Sequence, residues 1–184
     1  MNELNSYCNY AKCLEESNIH RIYHDTQYGF PIDSDNELFG RLILEINQAG
    51  LSWNTILNKY ENFRKAYSNF DIKIIASYNE QERIRLLNDK GIIRNKLKVA
   101  ATIHNASVIV EIQKELGSFQ NWLNHHHPKV KSEWVKLFKK TFKFTGGEIT
   151  NEFLMSIGYL RGSHDENCQI FKKVLKKNPK WNAN

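Results

Sequence analysis

Along this chain, apolar residues return every three or four positions in a series of short runs separated by polar breaks, the pattern of many modest helices. No stretch sustains the alternation of a half-buried strand, so the pattern predicts an all-α fold. The most informative run spans about Asp35 to Ala49, with Asp35 or Asn36 as its expected N-cap. Leu38, Leu42, Glu45 and Ala49 share one stripe, flanked by Phe39, Ile43 and Ile46. Gly50 ends the run, and Trp53 stands at the start of the next helix, Ser52 to about Tyr60. Shorter helices are expected over Glu61 to Tyr67, over Ile72 to Ser77 behind Asp71, and from Asn79 through Leu87 with Gly91 as the stop. Asn95 opens the longest helix, whose apolar positions are Leu97, Ala100, Ala101, Ile103, Val108, Ile112 and Leu116, and Gly117 ends it. Ser118 and Ser132 are the expected N-caps of two more. A tight hairpin, Phe142 to Gly147, leads into a helix from about Glu148 to Ile157, and a last helix runs from His164 towards Lys177. Residues 1–34 carry no period and many aromatics, and read as irregular with some helix around Asn18 to Tyr23.

Composition narrows the class. A chain of 184 residues with 41% hydrophobic and 25% charged positions is an ordinary globular one, read as a single domain over 1–184. No apolar run approaches a membrane span, and Met1 to Asn5 lacks the basic start and apolar core of a signal peptide. Three cysteines, an odd number without an export signal, point to a reducing compartment and thiols that are free or metal-bound, hence a cytoplasmic protein. The formal charge of +6 favours a polyanionic partner, although a merely soluble basic protein has the same balance.

Three features could carry chemistry. Glu45 falls where a leucine would be ordinary, and a buried carboxylate needs a partner or a ligand; with Trp53 one turn further on, the pair suits a flat, electron-poor ring bearing donors. An internal ion pair would explain the same residue. His164 and Cys168 stand four apart, so a helix would present both on one face and they could share a zinc ion; the N-terminal segment offers Cys8, Cys13, His20 and His24 to complete a tetrahedron. Four protein ligands would make such a site structural. Gly146-Gly147, at a helix start and near Lys139, Lys140 and Lys143, could admit a phosphate to backbone N–H groups. The run His125-His126-His127 does not share a helix face and reads as a solvated loop, and the lysine-rich tail of Lys172, Lys173, Lys176, Lys177 and Lys180 reads as a solvated helix face. Nucleophile elbows, phosphate loops and dinucleotide fingerprints are absent from the sequence.

Four blocks, in order, resemble the 3-methyladenine DNA glycosylase I family, a branch of the helix-hairpin-helix glycosylases. They are Tyr23-His24-Asp25-Thr26-Gln27-Tyr28-Gly29-Phe30-Pro31, Gln48-Ala49-Gly50-Leu51-Ser52-Trp53, Gly91-Ile92-Ile93-Arg94-Asn95-Lys96 and Phe142-Lys143-Phe144-Thr145-Gly146. The resemblance, from about Tyr7 to Cys168, implies a helical domain whose terminal segments, 1–34 and 159–184, are stapled by one structural zinc ion. It implies Glu45 as the base-recognising carboxylate and catalytic residue. Tyr10, Tyr23, Tyr28 and Trp53 match aromatics around the base, with Tyr10 and Tyr28 at positions usually held by tryptophan. Thr145, Gly146 and Gly147 fall on the DNA-backbone hairpin. Cys8, His24, His164 and Cys168 match the zinc ligands, with Cys13 competing for the place of Cys8.

The implied activity is hydrolysis of the N-glycosidic bond of N3-methyladenine in alkylated double-stranded DNA, without lyase chemistry, by a monomer with no obligate protein partner and no membrane association. The sequence departs from the family at His20, where a tyrosine often lines the pocket, and at Gly147 and Glu148, where small hydroxyl residues are usual. Those departures leave a rival open: a zinc-stapled helical module that binds damaged or flipped bases without cutting. A helical protein whose basic faces bind nucleic acid without base selection is a third reading.

Overall fold

In the computed structural model, which describes residues 6–183, the ordered elements are helices and turns, with no strand among the described residues. The chain divides into two compact units, one formed by residues 32–150 and the other by residues 1–31 with 151–184.

The unit of residues 32–150 is built on helix α3, Asp35–Gln48. Every residue from Leu38 to Asn47 is buried, so α3 is a central helix and not a surface helix with one apolar stripe. Its N-cap is Ser34, whose hydroxyl accepts from Glu37 N–H. Asp35, expected to cap α3, instead caps another helix. Its carboxylate accepts from the Phe119 and Gln120 N–H groups, at 2.7 and 3.0 Å, at the start of α9, Phe119–His126, and from the Gln113 amide at 2.6 Å. Ser118 caps the same helix through Asn121 N–H, as expected.

After α3 come α4, Trp53–Asn58, and α5, Tyr60–Ala66, then a single 3-10 turn at Ser68–Phe70. Helix α6, Ile72–Ala76, is capped by Asp71, and α7, Glu80–Asn88, by Asn79, both as the sequence predicts. The stop of α7 is not Gly91 but Asp89, whose side chain then accepts from Gly91 N–H at 2.7 Å. Helix α8, Lys96–Leu116, starts at the Asn95 cap and ends at Gly117, in the left-handed region at φ 85°. Its buried face differs from the apolar pattern. Leu97 is 68% exposed, while Lys98, Val99, Ala101, Thr102, Asn105, Ala106, Ile109 and Ile112 are buried. Three polar residues occupy the inner face, which is why hydrophobic periodicity chose the wrong register.

Helix α10, Lys131–Thr141, begins one residue before Ser132, with Val130 at the cap position and Glu133 accepting from Val130 N–H. Trp134 and Phe138 on α10 are fully buried, and Phe119, Trp122, Phe138 and Phe142 form an aromatic cluster with ring centroids 5.3–6.0 Å apart. Burying rings of this size supplies on the order of 2–3 kcal/mol each, and here it roots the first residue of the 142–147 turn in the core.

The second unit holds α1, Tyr7–Lys12, where irregular chain was expected, α2, Ile19–Thr26, matching the helix expected around Asn18 to Tyr23, and α12, Gln169–Leu175. Ser6 and Asn18 cap α1 and α2 with their side chains. Helix α11, Gly147–Ser156, runs across the boundary between the two groups of residues. Ala11, Tyr23, Phe153, Leu154, Ile157 and Val174 form the apolar interior of this unit. Gly29 (φ 81°) donates to Ser156 C=O at 2.8 Å, and a Cβ at residue 29 would collide with the Ser163 side chain, so glycine is required there on both counts.

Candidate active site and metal centre

Cys8, His24, His164 and Cys168 come together although 160 residues separate the first from the last, with all four ligand atoms within 4.8 Å of one another. Cys8 lies on α1 and His24 on α2. His164 and Cys168 are not on a helix, as their spacing suggested. They flank a turn in which Cys168 N–H donates to Asp165 C=O, and Cys168 is the N-cap residue of α12. The turn achieves what the helix face was expected to do, bringing Cys168 Sγ to 4.0 Å from His164 Nδ1. Cys13, the alternative to Cys8, is exposed at the end of α1 and lies outside the cluster.

The proton inventory of this cluster fits a cation. His164 Nε2 lies 2.7 Å from Tyr28 C=O, which can only accept, so that nitrogen carries the proton and Nδ1 faces the cluster as a lone pair. His24 Nδ1 lies 2.6 Å from the Asp25 carboxylate, which leaves Nε2 facing the cluster. The two inward nitrogens are 3.1 Å apart, and their sulfur neighbours stand at 3.7 Å (Cys8 to His164) and 3.8 Å (Cys168 to His24). A tetrahedral zinc ion with ordinary bond lengths would set such edges at about 3.3–3.8 Å. Burial pushes the Cys8 thiol up to about 12, assisted by Cys168 and opposed by the Asp165 N–H. Burial likewise pushes His164 down to about 4, keeping it a neutral imidazole. Together Cys8, His24, His164 and Cys168 form a buried Cys2His2 group able to hold a metal ion.

Of the aromatic candidates of this unit, Tyr28 meets the His164 ring at 5.7 Å. Tyr23 and Tyr28 are buried with centroids 5.6 Å apart, and Tyr28 donates to Glu152 at 3.1 Å. Tyr10 is half exposed and meets His20 edge-on at 5.4 Å. Tyr7, not singled out in the sequence, pairs its hydroxyl with His20 Nδ1 at 3.1 Å, and burial raises its pKa.

In the unit of residues 32–150, Glu45 is 5% exposed in the last turn of α3. Beyond it the chain turns at Ala49-Gly50, with Gly50 at φ 81°, a conformation that a side chain would strain. Leu51 is exposed at the tip, Ser52 caps α4 through Thr55 N–H, and Trp53 is the first residue of α4, partly buried. Glu45 and Trp53 therefore flank one turn, as the sequence predicts.

The 142–147 segment is a turn without strands. Phe144 sits at φ 61° and is partly exposed. Thr145 is buried and spends its hydroxyl on Phe138 C=O and Phe142 C=O, at 3.0 and 3.2 Å, so it shapes the turn from inside. Nothing within 4 Å would meet a Cβ on Gly146 or Gly147, so their open backbone answers no internal packing need. Glu148, in the first turn of α11, is exposed and pairs with Lys131 at 3.1 Å, which offsets its charge. The His125–His127 run ends α9 and belongs to no ligand cluster among the described residues.

The helical order and these buried polar groups define a protein similar in fold to solved DNA glycosylases. The chain belongs to the methyladenine glycosylase family, whose model matches residues 13–172. It is 30% identical over 174 residues to DNA-3-methyladenine glycosylase 1 of Escherichia coli, covering 84% of this chain and 92% of that one. It is 31% identical over 172 residues to DNA-3-methyladenine glycosylase of Haemophilus influenzae, covering 83% and 92%. In structure it is similar to 3-methyladenine DNA glycosylase I of Staphylococcus aureus, with a TM-score of 0.78 at 25% identity over 90% of this chain and 97% of that one. A solved variant of 3-methyladenine DNA glycosylase I in complex with 3-methyladenine matches with a TM-score of 0.77 at 26% identity, over 85% and 94%.

Proposed function

We propose that this protein is a DNA-3-methyladenine glycosylase that removes N3-methyladenine from alkylated duplex DNA by hydrolysing the bond between base and deoxyribose. The observation that carries the reading is Glu45, a carboxylate buried on the central helix of a methyladenine glycosylase family member, one turn before the Gly50–Trp53 bend. Methylation at N3 leaves the nucleoside base positively charged, so its glycosidic bond is already weakened. A buried carboxylate favours such a ring over neutral adenine, which would not offset its desolvation as well. Tyr10, Tyr23, Tyr28 and Trp53 supply aromatic faces for stacking and cation–π attraction to the base. The lesion first leaves the duplex stack, at less cost than a paired normal base. Bond cleavage sends the electron pair to the base, which departs neutral; water adds to the sugar carbon and gives up a proton to solvent. With no lysine Schiff base assigned, the enzyme is monofunctional.

Thr145, Gly146 and Gly147 form the DNA-backbone hairpin in this reading. Thr145 fixes the turn, and the glycines leave N–H groups of the α11 N-terminus open to a phosphate. The Cys8, His24, His164 and Cys168 group is a structural zinc site, and zinc bound there would cross-link α1, α2 and the turn before α12 with no position left for water. The protein acts in the cytoplasm as a monomer, without an obligate protein partner. No helix among the described residues is long and apolar enough to cross a membrane.

The test is release of free base from methylated duplex DNA, identified by chromatography. Free 3-methyladenine is the expected product. Tight binding to the lesion without release, from folded protein carrying metal, would overturn the enzyme and favour a lesion-binding module.

A further inference from the structure

The inner face of α8 carries three polar residues, Lys98, Thr102 and Asn105, spaced four and three apart and all buried. Two of them reach backbone outside their own helix. Lys98 Nζ donates to Asn47 C=O at 2.8 Å and to Ala49 C=O at 2.7 Å, the carbonyls at the end of α3. The same ammonium lies 5.8 Å from the centroid of the Phe144 ring. Burial lowers its pKa, which measures the cost of keeping the charge there. Asn105 clamps the next segment: its Oδ1 accepts from Lys143 N–H at 2.8 Å while its Nδ2 donates to Lys143 C=O at 3.0 Å. One side chain thus holds both backbone groups of the residue before Phe144, the residue at positive φ. Thr102 donates to Lys98 C=O, one turn back in the same helix.

We propose that Lys98 and Asn105 are positioning residues that lock two separate DNA-facing turns, Ala49–Trp53 and Phe142–Gly147, to one rigid rod. The proposal rests on the reading of those turns as DNA-facing. The physical argument is that the bonds inside each turn shape it but do not fix it relative to the other turn. Gly50 and Phe144 both hold positive φ, and Gly50, Gly146 and Gly147 have open space around them. Lys98 and Asn105 stand seven residues apart, two turns of α8, or roughly 10 Å along its axis. A lysine could have been satisfied at the surface; burying it against two helix-terminal carbonyls and beneath a hairpin ring fixes where both turns stop. Duplex recognition needs both turns at a fixed separation, whereas capture of a free base needs only Glu45 and the aromatic side chains.

The experiment compares Lys98→Met, Asn105→Leu and the double variant with wild type, in metal-loaded full-length protein. Each is assayed for kcat and KM on methylated duplex DNA, for binding of free 3-methyladenine, and for thermal unfolding. Lys98→Arg and Asn105→Asp serve as milder substitutions that keep part of each contact. Each single substitution is expected to raise KM on duplex about tenfold while kcat and free-base binding stay within about twofold. The double variant is expected to lose no more than about the worse single one, because either break frees the same pair of turns. Lys98→Arg restores duplex KM to within about threefold of wild type. Multiplied losses in the double variant, an equal loss of free-base binding, or an unchanged duplex KM would each overturn the proposal. If Lys98→Met or Asn105→Leu fails to fold, Asn105→Asp decides: an unchanged duplex KM overturns the proposal, and a raised KM with intact base binding supports it. Failure of the glycosylase reading looks different, since wild type itself would then release no base.

Discussion

The Cys2His2 cluster and the Glu45 turn both bury polar chemistry, but they do so by opposite means. The cluster gathers four side chains from distant parts of the sequence, and each histidine has its outer nitrogen occupied, by Asp25 or by Tyr28 C=O. Its geometry closes on itself, with neighbouring ligand atoms 3.1–4.0 Å apart. The Glu45 region instead places one carboxylate on a regular helix and then leaves the following turn exposed at Leu51 and Ser52. A closed donor set suits a fixed ion, and a buried acid beside an open turn suits a ligand that comes and goes. In the proposed function, structure is held in the first region and recognition in the second.

Breaking the closed region should have the largest effect. Cys8→Ser or Cys168→Ser, or stripping the metal with a strong chelator, is expected to cost about 3 kcal/mol or more of stability. Thermal unfolding would then show a drop in Tm on the order of 6–12 °C, and a melting curve indifferent to chelator would reject the cross-link. Next comes Asp35→Ala, which removes three hydrogen bonds to one carboxylate at the start of α9. A loss of about 2 kcal/mol in denaturant unfolding is expected, with metal content unchanged. Glu148→Gln releases Lys131 and removes an acid from the helix that follows the hairpin. Duplex affinity at low salt is expected to rise about two- to threefold, with stability changed by less than about 0.5 kcal/mol; an unchanged affinity would place Glu148 away from the phosphates. Smallest of all is Cys13→Ser, at an exposed position outside the cluster. Metal content by elemental analysis should be unaltered and stability within about 0.5 kcal/mol of wild type.

How much of this was legible in the sequence depends on what kind of signal carried it. Local capping chemistry was easy to read: Asp71, Asn79, Asn95 and Ser118 cap the helices predicted for them. Glu45 was visible as an acid on an apolar stripe, and it is buried. Long-range side-chain bonding was not legible. Asp35 looked like a cap for its own helix, yet it caps one that begins 84 residues later. Lys98 was invisible because periodicity counts apolar residues, and its partners are carbonyls 49 and 51 residues away. The cluster residues His164 and Cys168 were chosen on a helical argument that does not hold, since a turn brings them together. The four-residue spacing served both geometries, so the choice of residues survived the loss of its reason. In the segment read as irregular, the helix expected around Asn18 to Tyr23 is α2, whereas α1, six residues long, has too few turns for a period to show.

The most direct test of this division of labour is Glu45→Gln, assayed for release of 3-methyladenine under single-turnover conditions beside its metal content and Tm. Glutamine keeps the shape and loses the charge. The account predicts that release falls by about 100-fold or more, equivalent to about 2.7 kcal/mol of transition-state stabilisation, while metal content and Tm stay at wild-type values. Release at the wild-type rate from the folded variant would contradict it, and would remove Glu45 from base recognition.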